Sequence, residues 1–121
     1  MPKIYLSPST QDWNMYVTGS GSEEYNMNLL ADALVPYLLS NGIQYQRNRP
    51  EMTAGSSIRE ANQGEYDLYL ALHSNAAPEG RYGEERGIIA FYYPGSVGGQ
   101  RAAELIAQEL RKIDRKSTRL N

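Results

Sequence analysis

The sequence predicts an α/β fold, a three-layer sandwich with a mostly parallel twisted sheet flanked by helices. Three observations predict it. Strand-like and helix-like segments alternate in the order β-α-β-α-β-β-α, and such alternation favours parallel strands joined by helical crossovers. Tyr66 to Leu72 is almost continuously apolar apart from Asp67, the signature of a buried central strand. Turn residues fall between the periodic segments, at Ser7-Pro8, Asn41-Gly42, Gln63-Gly64 and Pro94-Gly95.

Taken in order, Lys3 to Leu6 alternates like a short strand and stops at Ser7-Pro8. Gln11 to Gly21 is polar and rich in Gly and Ser, so it reads as a surface loop. Ser22 is a suitable N-cap, with Glu23 and Glu24 placed to meet the helix dipole. Met27, Leu30, Ala31, Leu34 and Leu38 then recur at helical spacing until Asn41-Gly42. Pro36 lies inside this pattern and predicts a bend or an early end, because it removes a helical hydrogen bond. Ile43 to Arg47 reads as a second strand, and a short helix runs from Thr53 or Ser56 to Asn62. After Tyr66–Leu72, residues 74–86 form a loop rich in Gly, Pro and charge, and Gly87 to Tyr93 is a fourth strand. Ser96 caps a last helix with Ala103, Ile106, Ala107 and Leu110 on one face.

Composition narrows the function. The chain has 121 residues, enough for one domain and one core. It is 40% hydrophobic and 21% charged, as a soluble globular protein is. With no cysteine, disulfides, thiolate metal sites and cysteine nucleophiles are excluded. A net charge of −2 with no basic stripe argues against a nucleic-acid partner. No apolar run is long enough to span a bilayer, and Met1-Pro2-Lys3 leads into a strand without a signal pattern, so the localisation is left open. A monomer is the default expectation. Ten of the aromatic residues are Tyr, which more often edge a core than line a ligand groove.

The last eight residues, Asp114-Arg115-Lys116-Ser117-Thr118-Arg119-Leu120-Asn121, read as the in-frame translation of a common sequencing adapter, GATCGGAAGAGCACACGTCTGAAC. The expectation is therefore a native domain over 1–113 that is incomplete at its C-terminus, followed by a non-native tail over 114–121. The tail holds three basic residues and one acidic one; without it the remaining nine basic and thirteen acidic residues give a net charge of −4.

Ligands of open α/β sheets bind beyond the carboxyl ends of the strands. The loop after the first strand, leading to Glu23 and Glu24, falls there, and so does the turn after Leu72 that opens with His73 and Asn75. His73 is the single histidine, placed for a metal or for acid–base work, although a lone His at a strand end is ordinarily a satisfied polar residue.

At these residues the chain resembles the zinc-dependent N-acetylmuramoyl-L-alanine amidases, over Lys3 to about Ile113. Tyr66 to Ala76, ending Leu72-His73-Ser74-Asn75-Ala76, is similar to the family's strand and His-x-Asn-Ala turn, whose His binds zinc. Ala61-Asn62 matches a common Ala-Asn at the end of the short helix, and Gly87 to Tyr93 resembles the strand after the substrate loop. Glu23 to Ala31 is similar to the helix that opens with a zinc-binding glutamate, and counting back from Ala31 favours Glu23 over Glu24.

The resemblance implies a Zn²⁺ cofactor held by His73 and Glu23, peptidoglycan as partner, and hydrolysis of the amide between N-acetylmuramic acid and L-alanine. Asn75 and Tyr82 are the substrate-binding candidates it suggests. The chain departs from the family at two points. The usual Pro-Gly-His-Gly-type turn is replaced by Ser7-Pro8-Ser9-Thr10-Gln11, closer to a variant branch without the first His, which leaves Gln11, Asp12 or Asn14 as the third ligand, Asp12 first by charge. The family's catalytic glutamate lies on a strand later than Ile113, so no catalytic residue is assigned and the 121-residue chain is expected to be inactive by itself. Glu84 and Glu85 read as solvated loop charges. The missing first His also motivates an alternative, a metal-free peptidoglycan-binding or regulatory domain of the same fold.

Overall fold

The computed structural model describes residues 1–16, 19–74, 88–113 and 119–120. The chain forms two compact units, residues 1–75 and 76–121.

The first unit is built on a parallel sheet. Strand β1 (Lys3–Pro8) lies between β2 (Gln44–Arg47) and β3 (Leu68–Leu72). Tyr5 sits opposite Gln46 on one side and Tyr69 on the other, and Pro8 opposite Leu72. The centre of the sheet is thus β1, buried from Ile4 to Pro8, and not the Tyr66–Leu72 segment expected there. Among the described residues β3 pairs on one side alone, and its side chains alternate between half-buried and exposed. Its apolar run was misleading because Tyr69 and Ala71 tolerate the wetter face.

The two faces of β1 carry different chemistry. Ile4 and Leu6 pack with Ala31 and Leu38 of helix α1 (Glu23–Ser40), and Leu34, Val35 and Leu70 close around them. Tyr5 and Ser7 point the other way, toward helix α2 (Ala54–Gln63): the Tyr5 hydroxyl donates to Glu60 Oε1 at 2.9 Å. Period-two alternation therefore places one helix on each face and gives the three layers. On the α2 face Tyr5 stacks on Tyr69 with centroids 5.5 Å apart and meets Tyr66 edge-on at 5.4 Å. Lys3 Nζ lies 5.0 Å above the Tyr66 ring. These tyrosines form a structural cluster, as their composition suggested.

Ser22 caps α1 through its hydroxyl, which accepts from Tyr25 N, and the chain leaves the helix through Gly42 at φ +72°. Pro36 does not end α1. The buried stripe runs through Ala31, Leu34, Val35 and Leu38, the i, i+3, i+4, i+7 set, so Leu30, one residue off that stripe, is exposed. Thr53 and Ser56 close a capping box at the start of α2.

In the second unit, Ser96 caps helix α3 (Val97–Leu110), which buries Ala103 and Ala107 but leaves Ile106 at the surface. The expected Gly87–Tyr93 strand is shorter: β4 is Ile89–Ala90, paired in parallel with β5 (Arg119–Leu120), and Phe91 and Tyr93 are exposed. Among the described residues no helix is long and apolar enough to cross a membrane.

Candidate functional site

The ends of β1 and β3 are tied together. Ser9 N donates to Leu72 O at 2.9 Å, one step beyond the Pro8–Leu72 pair. The chain leaving β1 then folds over the start of α1. Asn14 O accepts from Glu23 N at 2.8 Å and Gln11 O from Glu24 N at 3.3 Å, so loop carbonyls satisfy amides that the first helical turn cannot pair. Met15 and Ser22 form an antiparallel bridge. This backbone lacing fixes where the Glu23 side chain goes.

Glu23 is 1% exposed. A buried carboxylate is costly unless it is paired and hydrogen-bonded. Here Oε1 accepts from Ser74 N at 2.7 Å, and Oε2 accepts from Asn14 Nδ2 at 3.2 Å. Nδ1 of His73 lies 3.3 Å from Oε1. His73 itself is half exposed, so one edge of the pair is open to solvent. The two acidic residues at the head of α1 thus differ: Glu24 stays in the outer first turn, whereas Glu23 turns inward to the histidine.

Two residues not singled out from the sequence join this site. Ser74 supplies the shortest hydrogen bond to Glu23, and its hydroxyl pairs with Tyr16 OH at 2.6 Å, linking the β3 turn to the β1 loop. Ser74 carries no signal in sequence because it reaches Glu23 through its backbone amide, and Tyr16 carries none because its hydroxyl meets a partner far along the chain. Beside His73 lies a cavity of about 260 Å³ walled by Ser7, Ser9, Gln11, Trp13, Asn48 and Thr53, among others.

Of the candidate third donors, Asn14 reaches the site as a hydrogen-bond donor to Glu23, and Gln11 lines the cavity shared with His73. Asp12 is exposed, and among the described residues no third His, Cys, Asp or Glu gathers with His73 and Glu23. Asn75, Tyr82, Glu84 and Glu85 lie outside the described residues.

No family model and no curated protein matches the sequence. The structure does have a solved counterpart. N-acetylmuramoyl-L-alanine amidase AmiC2 of Nostoc punctiforme superposes with a TM-score of 0.76 at 14% sequence identity, over 99% of this chain and 69% of that one. The chain has the fold of that amidase. The α/β architecture expected from the sequence, and the fold of the family it resembles, are both present. At 14% identity the likeness is one of fold.

Proposed function

We propose that the chain is the catalytic domain, or a large part of it, of a zinc-dependent N-acetylmuramoyl-L-alanine amidase that hydrolyses the amide joining N-acetylmuramic acid to L-alanine in peptidoglycan. One observation carries the reading: at the carboxyl edge of an amidase-like fold, the only histidine of the chain meets a buried glutamate at 3.3 Å.

The donor set fits part of a zinc site. Imidazole nitrogen and carboxylate oxygen are both ordinary zinc ligands, and bonds of about 2.0–2.1 Å in a tetrahedron separate two ligand atoms by about 3.3 Å. The Ser74 amide and the Asn14 side chain hold the Glu23 carboxylate in place, as partners outside the coordination shell do. A catalytic site ordinarily takes a third protein ligand, for which we propose Asp12 or Gln11; Asn14, the other sequence candidate, is engaged with Glu23 through its side-chain N–H. Bound there, zinc would supply Lewis-acid polarisation of the scissile carbonyl and a more acidic water.

The chain's own residues then have distinct tasks. Glu23 and His73 hold the metal position at the sheet edge, and Asn14 and Ser74 orient Glu23. A separate carboxylate base is still needed for proton transfer; the family resemblance puts it on a strand later than Ile113. Asn75 and Tyr82 remain proposed substrate contacts.

Zinc binding is therefore the direct test on this chain. Isothermal titration should show one zinc per chain in the wild type and none in His73→Ala or Glu23→Gln. With the downstream strand present, the protein should release peptide stems from purified sacculi, and His73→Ala should not. Zinc-independent adhesion to sacculi without hydrolysis would replace this reading by a metal-free wall-binding domain.

A further inference from the structure

The cavity beside His73 is not explained by the metal pair. Its described lining residues all belong to the first unit, and they come from the end of β1, the loop that follows, the residues after β2, the start of α2, and β3 with the turn after it. At about 260 Å³ it sits just below the ~300 Å³ lower limit of small-molecule sites, which suits one ring rather than a peptide of several residues.

Its chemistry is uniform. Among the described residues that line it there is no Lys, Arg, Asp or Glu. The floor is a finished hydrogen-bond network: Asn48 Nδ2 donates to Ser7 Oγ, Pro8 O and Ser57 Oγ, each at 3.1 Å, and the Tyr69 hydroxyl donates to Ser7 Oγ at 2.8 Å. Asn48 and Ser57 are buried, so this floor is rigid. The rim differs. Within the described residues, the Thr10 hydroxyl and the Gln11 side-chain amide make no hydrogen bond and remain available to a ligand. Trp13, at the mouth, is 73% exposed, an unusual position for the largest apolar side chain of a small domain.

A flat aromatic face beside neutral hydroxyl and amide groups is the environment that a pyranose ring favours. Sugar C–H groups carry slight positive charge and meet the negative face of the indole, while the ring hydroxyls exchange hydrogen bonds with neutral partners. A stem peptide instead brings free carboxylates, which call for Lys or Arg, and neither is among the described residues that line the cavity. We propose that this cavity is a neutral sugar subsite that takes one N-acetylated pyranose, with Trp13 as the stacking platform and Thr10 and Gln11 as polar contacts. The inference rests on the amidase reading for its orientation: the sugar side of the scissile bond lies toward Trp13 and the peptide side away from it.

Trp13 is the only tryptophan, so its emission reports on the subsite without a label. The 121-residue chain should be titrated with N-acetylglucosamine and, separately, with the dipeptide L-alanyl-D-glutamate, both in chelator, following fluorescence and saturation-transfer NMR. The sugar should shift Trp13 emission and receive saturation in the millimolar range, and the dipeptide should do neither. Trp13→Ala, a surface change that should leave the circular dichroism spectrum intact, should weaken sugar binding about tenfold by NMR, and Gln11→Ala should weaken it less. Absence of both sugar signals, or a response to the dipeptide in its place, overturns the proposal. Because the assay is metal-free, its outcome is separate from that of the amidase reading. Sugar binding without zinc binding would leave the subsite standing and remove the enzyme. Zinc binding and hydrolysis without sugar binding would do the reverse.

Discussion

Oε1 of Glu23 lies 3.3 Å from Nδ1 of His73, and the first opens α1 while the second closes β3. The two residues differ sharply in burial, with side-chain exposures of 2% and 46%. The carboxylate is the structural member of the pair and the imidazole the accessible one.

That asymmetry sets the first prediction. Glu23→Ala strands the Ser74 amide and the Asn14 side chain, and each unsatisfied buried group costs about 1–3 kcal/mol, so a total near 3 kcal/mol is expected. His73→Ala removes a half-exposed ring and should cost about 1 kcal/mol or less. Urea unfolding of both variants checks this; equal losses would mean that the buried carboxylate is held otherwise.

The second prediction concerns the floor beneath the cavity. Asn48 donates from one amide nitrogen to three oxygens. Asn48→Ala should cost about 1–3 kcal/mol, chiefly by leaving Pro8 O without its side-chain partner. Asn48→Asp should cost more at neutral pH, because a buried ionised carboxylate would face the Pro8 carbonyl where a donor stood. Thermal unfolding at pH 7 ranks the two.

Much of this architecture was legible in the sequence, for physical reasons that can be named. Ser22 and Ser96 announced two of the helices because their side chains accept from amides that the first turn leaves unpaired, whereas the start of α2 was left between Thr53 and Ser56 and the structure makes Thr53 its cap. Glu23 and His73 were visible because both fall at the carboxyl edge of a parallel sheet, where element order alone brings them near. The order of the strands was not legible. The Tyr66–Leu72 run resembles a central strand by composition, yet β1, shorter on apolar residues and ending in Ser7-Pro8, is the one paired on both sides. Pairing depends on partners distant in sequence, which a local pattern does not encode. Ser74 was invisible for a related reason: its backbone amide, common to nearly every residue type, is what binds Glu23.

The third prediction is a pH dependence. Burial raises the ionisation of the Tyr5 hydroxyl above its ordinary 10, and the Glu60 carboxylate that accepts its proton adds to the effect. Above about pH 10 the unfolded chain releases this proton while the folded chain keeps it. The native state then binds more protons, and stability must fall as pH rises through 10 and beyond, while the contribution is complete below that. Tyr5→Phe should be less stable than wild type at pH 7 by about 1 kcal/mol, and the gap should narrow as pH is raised above 10. Urea midpoints at pH 7, 9, 10 and 11 read it directly, the comparison with the variant cancelling the titration of the other tyrosines.

The last prediction separates metal ligands from the residues that support them. A ligand that binds the folded state alone raises stability by RT ln(1 + [L]/Kd), about 2.7 kcal/mol at a hundredfold excess over Kd. Zinc at that excess should raise the melting temperature of the wild type, and a chelator should reverse the rise. His73→Ala and Glu23→Gln should abolish it, since each removes a proposed donor. Asn14 touches Glu23 through a hydrogen bond, and loss of such a supporting contact weakens metal affinity about 10- to 100-fold without removing it. Asn14→Ala should therefore shift the zinc titration to higher concentration and still reach the same plateau. An Asn14 variant that loses the plateau would make Asn14 a ligand in its own right. Asp12→Ala and Gln11→Ala complete the set: whichever of the three flattens the titration as His73→Ala does is the third donor.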